Sequence, residues 1–332
     1  HAMSQLSYRD ALNRAMDEEM ARDDKVVIMG EEVAEYDGAY KVTRGLLGKY
    51  GPTRVLDTPI TELGFTGLGV GAAMVGLKPI VEWMTHNFAL LALDQVVNEA
   101  AKMRHMSGGQ FHVPVVFRGP NGPAEYLSSQ HSQALASYWV HVPGIRVVAP
   151  AFPADAYGLL KSAIRDPDPV VVLEAEMLYG FKAEVPDEEF LIPIGKANTL
   201  RNGNDITLVS FGKPVHLLLQ AADELARDNI AAEVIDLRSL RPLDEETLMA
   251  SVARTGRAVV VDESWPAASV GSYVAHRIAT ACFDLLDAPV EFVASEDVPM
   301  PYNHTLELAV QPSVKKIVAA ARRALYLEVP HG

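Results

Sequence analysis

The sequence predicts an α/β protein made of two open parallel-sheet domains. Three observations carry that expectation. The chain has 332 residues, more than one hydrophobic core normally organises. Valine-rich runs alternate with helical periodicity along most of its length. That alternation breaks once, over residues 183–195, and then restarts.

Taken in order, Ser7 is the candidate N-cap of a helix whose apolar positions are Ala11, Leu12, Ala15 and Met20, and the run 26–29 (VVIM) reads as a buried strand. Residues 67–75 read as helix, 79–84 as strand, 90–106 as one long amphipathic helix and 113–117 as strand. Helix 132–140, strand 146–149, helix 154–164 and strand 170–174 complete the first half. Continuous valine runs suit strands covered on both faces. Residues 183–195 (AEVPDEEFLIPIG) mix proline and acid without periodicity, so the domains are placed at 4–185 and 201–330, with 186–200 as linker.

The second half repeats the pattern with strand 206–210, helix 216–227, strand 232–236, helix 245–255 and strand 258–262. It closes with helix 269–286, strand 290–294 and a last helix at 313–327 entered behind Pro312. His1 and Ala2 ahead of Met3 read as a cleavage scar.

Composition narrows the function classes. Hydrophobic residues make up 49% of the chain, and 29 basic against 43 acidic residues give a net charge of -14, which argues against a nucleic-acid or anionic-lipid footprint. No run of ~18 apolar residues suggests a membrane span. A single cysteine, Cys282, excludes an internal disulfide framework and reads as a small buried hydrophobe in a reducing compartment.

Three patches could carry chemistry. Glu62 stands at a strand-to-helix junction, in TPITE (58–62) ahead of a glycine-rich run; it is either a helix-dipole acid or a reactive carboxyl. His131 follows the Gly/Pro-rich loop 118–123, at the carboxyl end of a strand where open sheets place ligands; it is either a capping histidine or a functional one. No G-x-S-x-G elbow surrounds the neighbouring serines. In MTHNF (84–88), Phe88 is core or binding surface and His86 could lie at the surface.

As a set, TPITE at 58–62, MTHNF at 84–88, FRGPNG at 117–122, QHSQ at 130–133, SAIRDPDPVVVLE at 162–174, IPIGKA at 192–197 and VPMPYN at 298–303 closely resemble the pyruvate dehydrogenase beta-subunit family of transketolase-like enzymes. The resemblance spans essentially the whole chain. It implies a pyrimidine-binding domain for thiamine diphosphate followed by a transketolase C-terminal domain. Its glutamate matches Glu62, whose carboxyl would bond the aminopyrimidine ring nitrogen and help the 4′-amino group deprotonate the thiazolium carbon.

The resemblance further implies Phe88 packed on the aminopyrimidine, with Ile60 and Met84 as apolar neighbours. Glu31 would be an acid near a path between paired sites, and His131 would serve acyl transfer to a lipoyl arm. A potassium site would use carbonyls around Val115, Ala163, Ile164, Asp166 and Asp168, the last standing where relatives often carry Asn. Leu91 departs from the family, which often has Gln there. No Gly-Asp-Gly followed by Asn is present to hold magnesium diphosphate, so the implied alpha subunit would supply it in an alpha2-beta2 tetramer.

Further implied partners are the lipoyl and peripheral-subunit-binding domains of a dihydrolipoyl acyltransferase. The implied compartment is bacterial cytoplasm, or the mitochondrial matrix in a eukaryote. FRGPNG and VPMPYN favour pyruvate over the alternatives, a branched-chain 2-oxoacid or acetoin dehydrogenase subunit. A mainly structural docking subunit is the reading from a different class.

Overall fold

The computed structural model describes residues 2–329 and divides into two compact units. One comprises the chain through Asn121 with Tyr138–Ile194, the other Gly122–Ser137 with the chain from Gly195 onward. The segment Gly122–Ser137, which the sequence reading places in the first domain, therefore makes most of its contacts with the second unit.

The first unit begins with β1 (Met3–Ser7) and α1 (Tyr8–Arg22), where the Ser7 side chain accepts the Asp10 amide as predicted. It continues with β2 (Val26–Gly30), α2 (Leu46–Tyr50), β3 (Val55–Asp57), α3 (Glu62–Met74), β4 (Lys78–Glu82), α4 (His86–Ala89), α5 (Met103–Met106), β5 (Val116–Pro120), α6 (Ala136–Val140), β6 (Arg146–Val148), α7 (Pro153–Arg165), β7 (Val170–Glu174) and β8 (Lys182–Pro186). Strands β6-β7-β5-β4-β2-β3 lie side by side in that order, all parallel. Their buried valines meet α1 and α7, whose inward faces carry Ala11, Leu12, Met16, Leu159 and Leu160. Each such large side chain contributes roughly 1.5–3 kcal/mol by leaving water.

The second unit holds β9 (Asn198–Arg201), β10 (Ile206–Ser210), α8 (Pro214–Arg227), β11 (Ala232–Asp236), β12 (Ser239–Arg241), α9 (Glu245–Thr255), β13 (Ala258–Val261), α10 (Val270–Ala281), β14 (Glu291–Val293), α11 (His304–Val310) and α12 (Val314–Ala324). Its sheet runs β14-β13-β10-β11-β9, with only β9 antiparallel. Among the described residues no helix is long and apolar enough to cross a membrane.

Four local expectations are corrected. The helix predicted over 90–106 is broken into a 3-10 turn at Leu90–Ala92, a wide π turn at Gln95–Ala100 and α5. Lys102 donates to the Val97 carbonyl at 3.0 Å, serving an oxygen within the wide turn. The helix predicted from Ser132 starts only at Ala136, so His131 lies in a loop and not at a helix start. Residues 182–186 form β8, which pairs antiparallel with β1. Helix α11, capped by Asn303, had no counterpart in the sequence reading.

Candidate active site

Glu31, Glu62, Met84 and Phe88 follow the carboxyl ends of β2, β3 and β4, where such sheets place ligands. Strand β2 delivers Glu31, and β3 leads through Thr58 to Glu62 in the first turn of α3. The two chain segments are tied together at this end. Thr58 N donates to Gly30 O at 3.0 Å, and the Asp57 carboxylate accepts the amides of Ala34 and Glu35 at 2.7 and 3.1 Å. Gly30 permits the close approach of β4, because a Cβ there would stand 2.6 Å from the Glu82 carbonyl.

This arrangement brings the Glu31 and Glu62 carboxyl groups close enough to interact. Both residues are 5% exposed. Burial and the charges of Glu62 and Glu82 push the Glu31 carboxyl up to about 7. Its Oε1 is buried without a hydrogen-bond partner, as is Thr58 Oγ1. A buried carboxyl that keeps its proton near neutral pH and has an unspent acceptor is equipped to bond a ligand that both donates and accepts.

Apolar surface adjoins the pair in sequence. Ile60 is 83% exposed, Leu63 and Leu91 are exposed, and Met84 and Phe88 are half-buried. Thr85 caps the short helix that carries Phe88, accepting the Asn87 amide. His86 is not at the surface: it is wholly buried between Val172 O, 3.3 Å from Nε2, and the Trp139 indole, which donates to Nδ1 at 3.1 Å. Burial lowers its pKa to about 4, so it is a neutral core group and not an acid or base at neutral pH.

Arg118, read in the sequence only as the start of a loop, is a buried hub. It donates to both oxygens of Glu174 at 2.5 and 2.7 Å and to Glu82, and Tyr179 OH donates to Glu174 at 2.6 Å. Its signal in the sequence is a charge ending the apolar run VPVVF (113–117).

The residues named for potassium cluster around the end of α7. Val115 and Ala163 carbonyls accept the amides of Val170 and Asp166 at 3.0 and 3.2 Å. The Asp168 carboxylate is held by Arg104 at 2.6 and 2.7 Å, and Asp166 pairs with Arg146 at 3.2 Å. With both carboxylates engaged by arginines, these residues fit a cation through remaining carbonyl lone pairs and not through their side chains. In the second unit, His131 is exposed on the Gly122–Ser137 loop, between the turn at Ser129 and buried Ser132.

Comparison with known proteins adds the following. Residues 4–182 match the family described as transketolase, pyrimidine binding domain, and residues 195–317 match transketolase, C-terminal domain. A pyruvate dehydrogenase E1 component subunit beta-2, mitochondrial, from Oryza sativa subsp. japonica is 54% identical over 333 residues, covering 99% of this chain and 89% of the relative. A pyruvate dehydrogenase E1 component subunit beta from Rickettsia felis is 52% identical over 98% of this chain and all of the relative. Among solved structures, a split-gene transketolase described as an inactive beta4 tetramer superposes with a TM-score of 0.79 at 23% identity, covering 97% of this chain and 99% of that one, a likeness of fold.

Proposed function

Since this chain belongs to the beta-subunit family of the pyruvate dehydrogenase E1 component, we propose that the Glu31–Glu62 pair holds the aminopyrimidine of thiamine diphosphate for decarboxylation of pyruvate. The observation that carries the reading is the juxtaposition of two buried carboxyl groups, each 5% exposed, of which Glu31 is pushed up to about 7 and so suits proton exchange near neutral pH. Glu62 bonds the ring nitrogen N1′, and Glu31 stands beside it. Ile60, Met84 and Phe88 supply the apolar contacts that exclude water from the ring. Thiamine diphosphate, when bound, supplies a carbon nucleophile and an electron sink.

His131 serves transfer of the acetyl group to the lipoyl arm of a dihydrolipoyl acyltransferase, whose peripheral-subunit-binding domain is the partner for docking. Magnesium and the diphosphate are held by an alpha subunit in an alpha2-beta2 tetramer. Potassium sits on carbonyls near Asp166 and Asp168. The compartment is bacterial cytoplasm, or the mitochondrial matrix in a eukaryotic host.

The test is pyruvate decarboxylation by this chain with and without an alpha subunit, in thiamine diphosphate and magnesium. Activity is expected only in the mixture, and Glu62→Gln is expected to lower it at least ~100-fold, as loss of a general acid-base group does. Full activity in the Gln variant would leave the chain a docking subunit. A strong preference for branched-chain oxoacids would move the substrate assignment.

A further inference from the structure

The loop carrying His131 is fastened by side chains of the C-terminal unit. Its ends meet: Gly122 N donates to Gln133 O at 3.0 Å, and Ser132 Oγ donates to Ala124 O at 3.3 Å. Between them Tyr126 and Ser128 hold φ values of 61° and 62°, the left-handed region that side chains other than glycine occupy at a cost. Such a backbone persists only where its surroundings fix it.

Glu307 of α11 is the fixing group. It is 1% exposed, and both carboxylate oxygens are engaged: Oε1 accepts the Tyr126 amide at 3.3 Å, and Oε2 accepts His304 Nδ1–H at 3.0 Å. The Tyr126 ring lies on the His304 ring at 4.9 Å between centroids. A buried carboxylate is expensive unless it is hydrogen-bonded, and here one of those bonds comes from the loop itself. At the loop's entrance, Gly122 has φ +88°, and a Cβ there would stand 2.5 Å from Oε1 of Glu263, which is buried and paired with Lys213 at 3.2 Å.

We propose that Glu307 and His304 are positioning residues: with Tyr126 they latch the 122–137 loop, and so fix His131 for acetyl transfer to the lipoyl group. The proposal rests on the reading of His131 given above. It gives the C-terminal domain a part in the second half-reaction beyond assembly.

The test uses the enzyme reconstituted with its alpha subunit and two assays. One follows pyruvate decarboxylation with an artificial electron acceptor; the other follows reductive acetylation of a lipoyl domain. Glu307→Gln and Tyr126→Ala are expected to lower lipoyl acetylation by up to ~100-fold, the scale of an ångström-level misplacement, while dye-coupled decarboxylation is unchanged. In a His131→Ala background the same substitutions are expected to add nothing. Should Glu307→Gln fail to fold, Tyr126→Ala, at a side chain 54% exposed, tests the part of the latch made by the ring contact with His304.

Equal loss in both assays, or additivity with His131→Ala, overturns the latch while leaving His131 in place. If His131→Ala itself acetylates the lipoyl domain normally, the assignment of His131 falls and takes the latch's role with it.

Discussion

The first unit buries two carboxylate clusters at neighbouring strand ends and treats them in opposite ways. Around Arg118 each carboxylate has a cationic partner: Glu82 and Glu174 both pair with one guanidinium, and Tyr179 completes the bonding of Glu174. At Glu31 burial and the charges of Glu62 and Glu82 act in the same direction, and the carboxyl is pushed up to about 7. The Arg118 cluster is fully enclosed and fully bonded, whereas Glu31 keeps Oε1 without a hydrogen-bond partner. A compensated buried charge is scaffold; an uncompensated one is held in reserve for chemistry.

The largest way to break this comparison is to remove the compensation. Arg118→Met would leave two buried carboxylates unpaired and is expected to cost about 3–5 kcal/mol in denaturant unfolding. Replacing all three groups together, Glu82→Gln with Arg118→Met and Glu174→Gln, is expected to recover most of that loss, because no charge is then stranded. If the triple replacement is as unstable as the single one, packing and not charge balance holds this region.

A smaller effect is expected from the other cluster, and with a different pH signature. The Glu31 carboxyl is raised from 4.5 to about 7, so the folded state keeps a proton that the unfolded state has released. Stability should therefore fall as pH rises from about 4.5 to 7, by up to ~3 kcal/mol. Glu31→Gln should flatten that slope in a melting series across this window. A wild-type curve with no decline there, or a Gln variant with the same slope, would show that Glu31 is not the group holding the proton.

These two clusters also show what a sequence discloses. Strands and helices that bury one continuous face were legible, because valine runs such as 170–174, the cap at Ser7 and Pro312 ahead of the last helix are local signals. Glu62 was legible as a position, standing where a strand feeds a helix. Its proximity to Glu31 was not, because it depends on β2 and β3 lying in register with Gly30 opposite Asp57.

Arg118 was missed for the same reason, since its partners lie 36 and 56 residues away. The break in the 90–106 helix was hidden because the amphipathic pattern survives a wide turn while the hydrogen bonding does not. Contacts of this kind leave no periodic trace.

His86 offers the mildest test of the comparison, since it is a third buried ionisable group and carries no charge at neutral pH. It solves the problem by staying neutral: Nδ1 accepts from Trp139, so the ring proton sits on Nε2 toward Val172 O. With its pKa lowered from 6.5 to about 4, the unfolded chain binds a proton that the folded one refuses. This contribution is fully present above pH 6.5 and is lost as pH falls toward 4, amounting to about 2 kcal/mol by pH 5. It runs opposite to the Glu31 effect, so the two separate in a melting series that compares His86→Gln and Glu31→Gln with the parent chain. An imidazole resonance of His86 that titrates near 6.5 in the folded protein would mean that water reaches this ring, and that burial alone does not decide which groups stay uncharged.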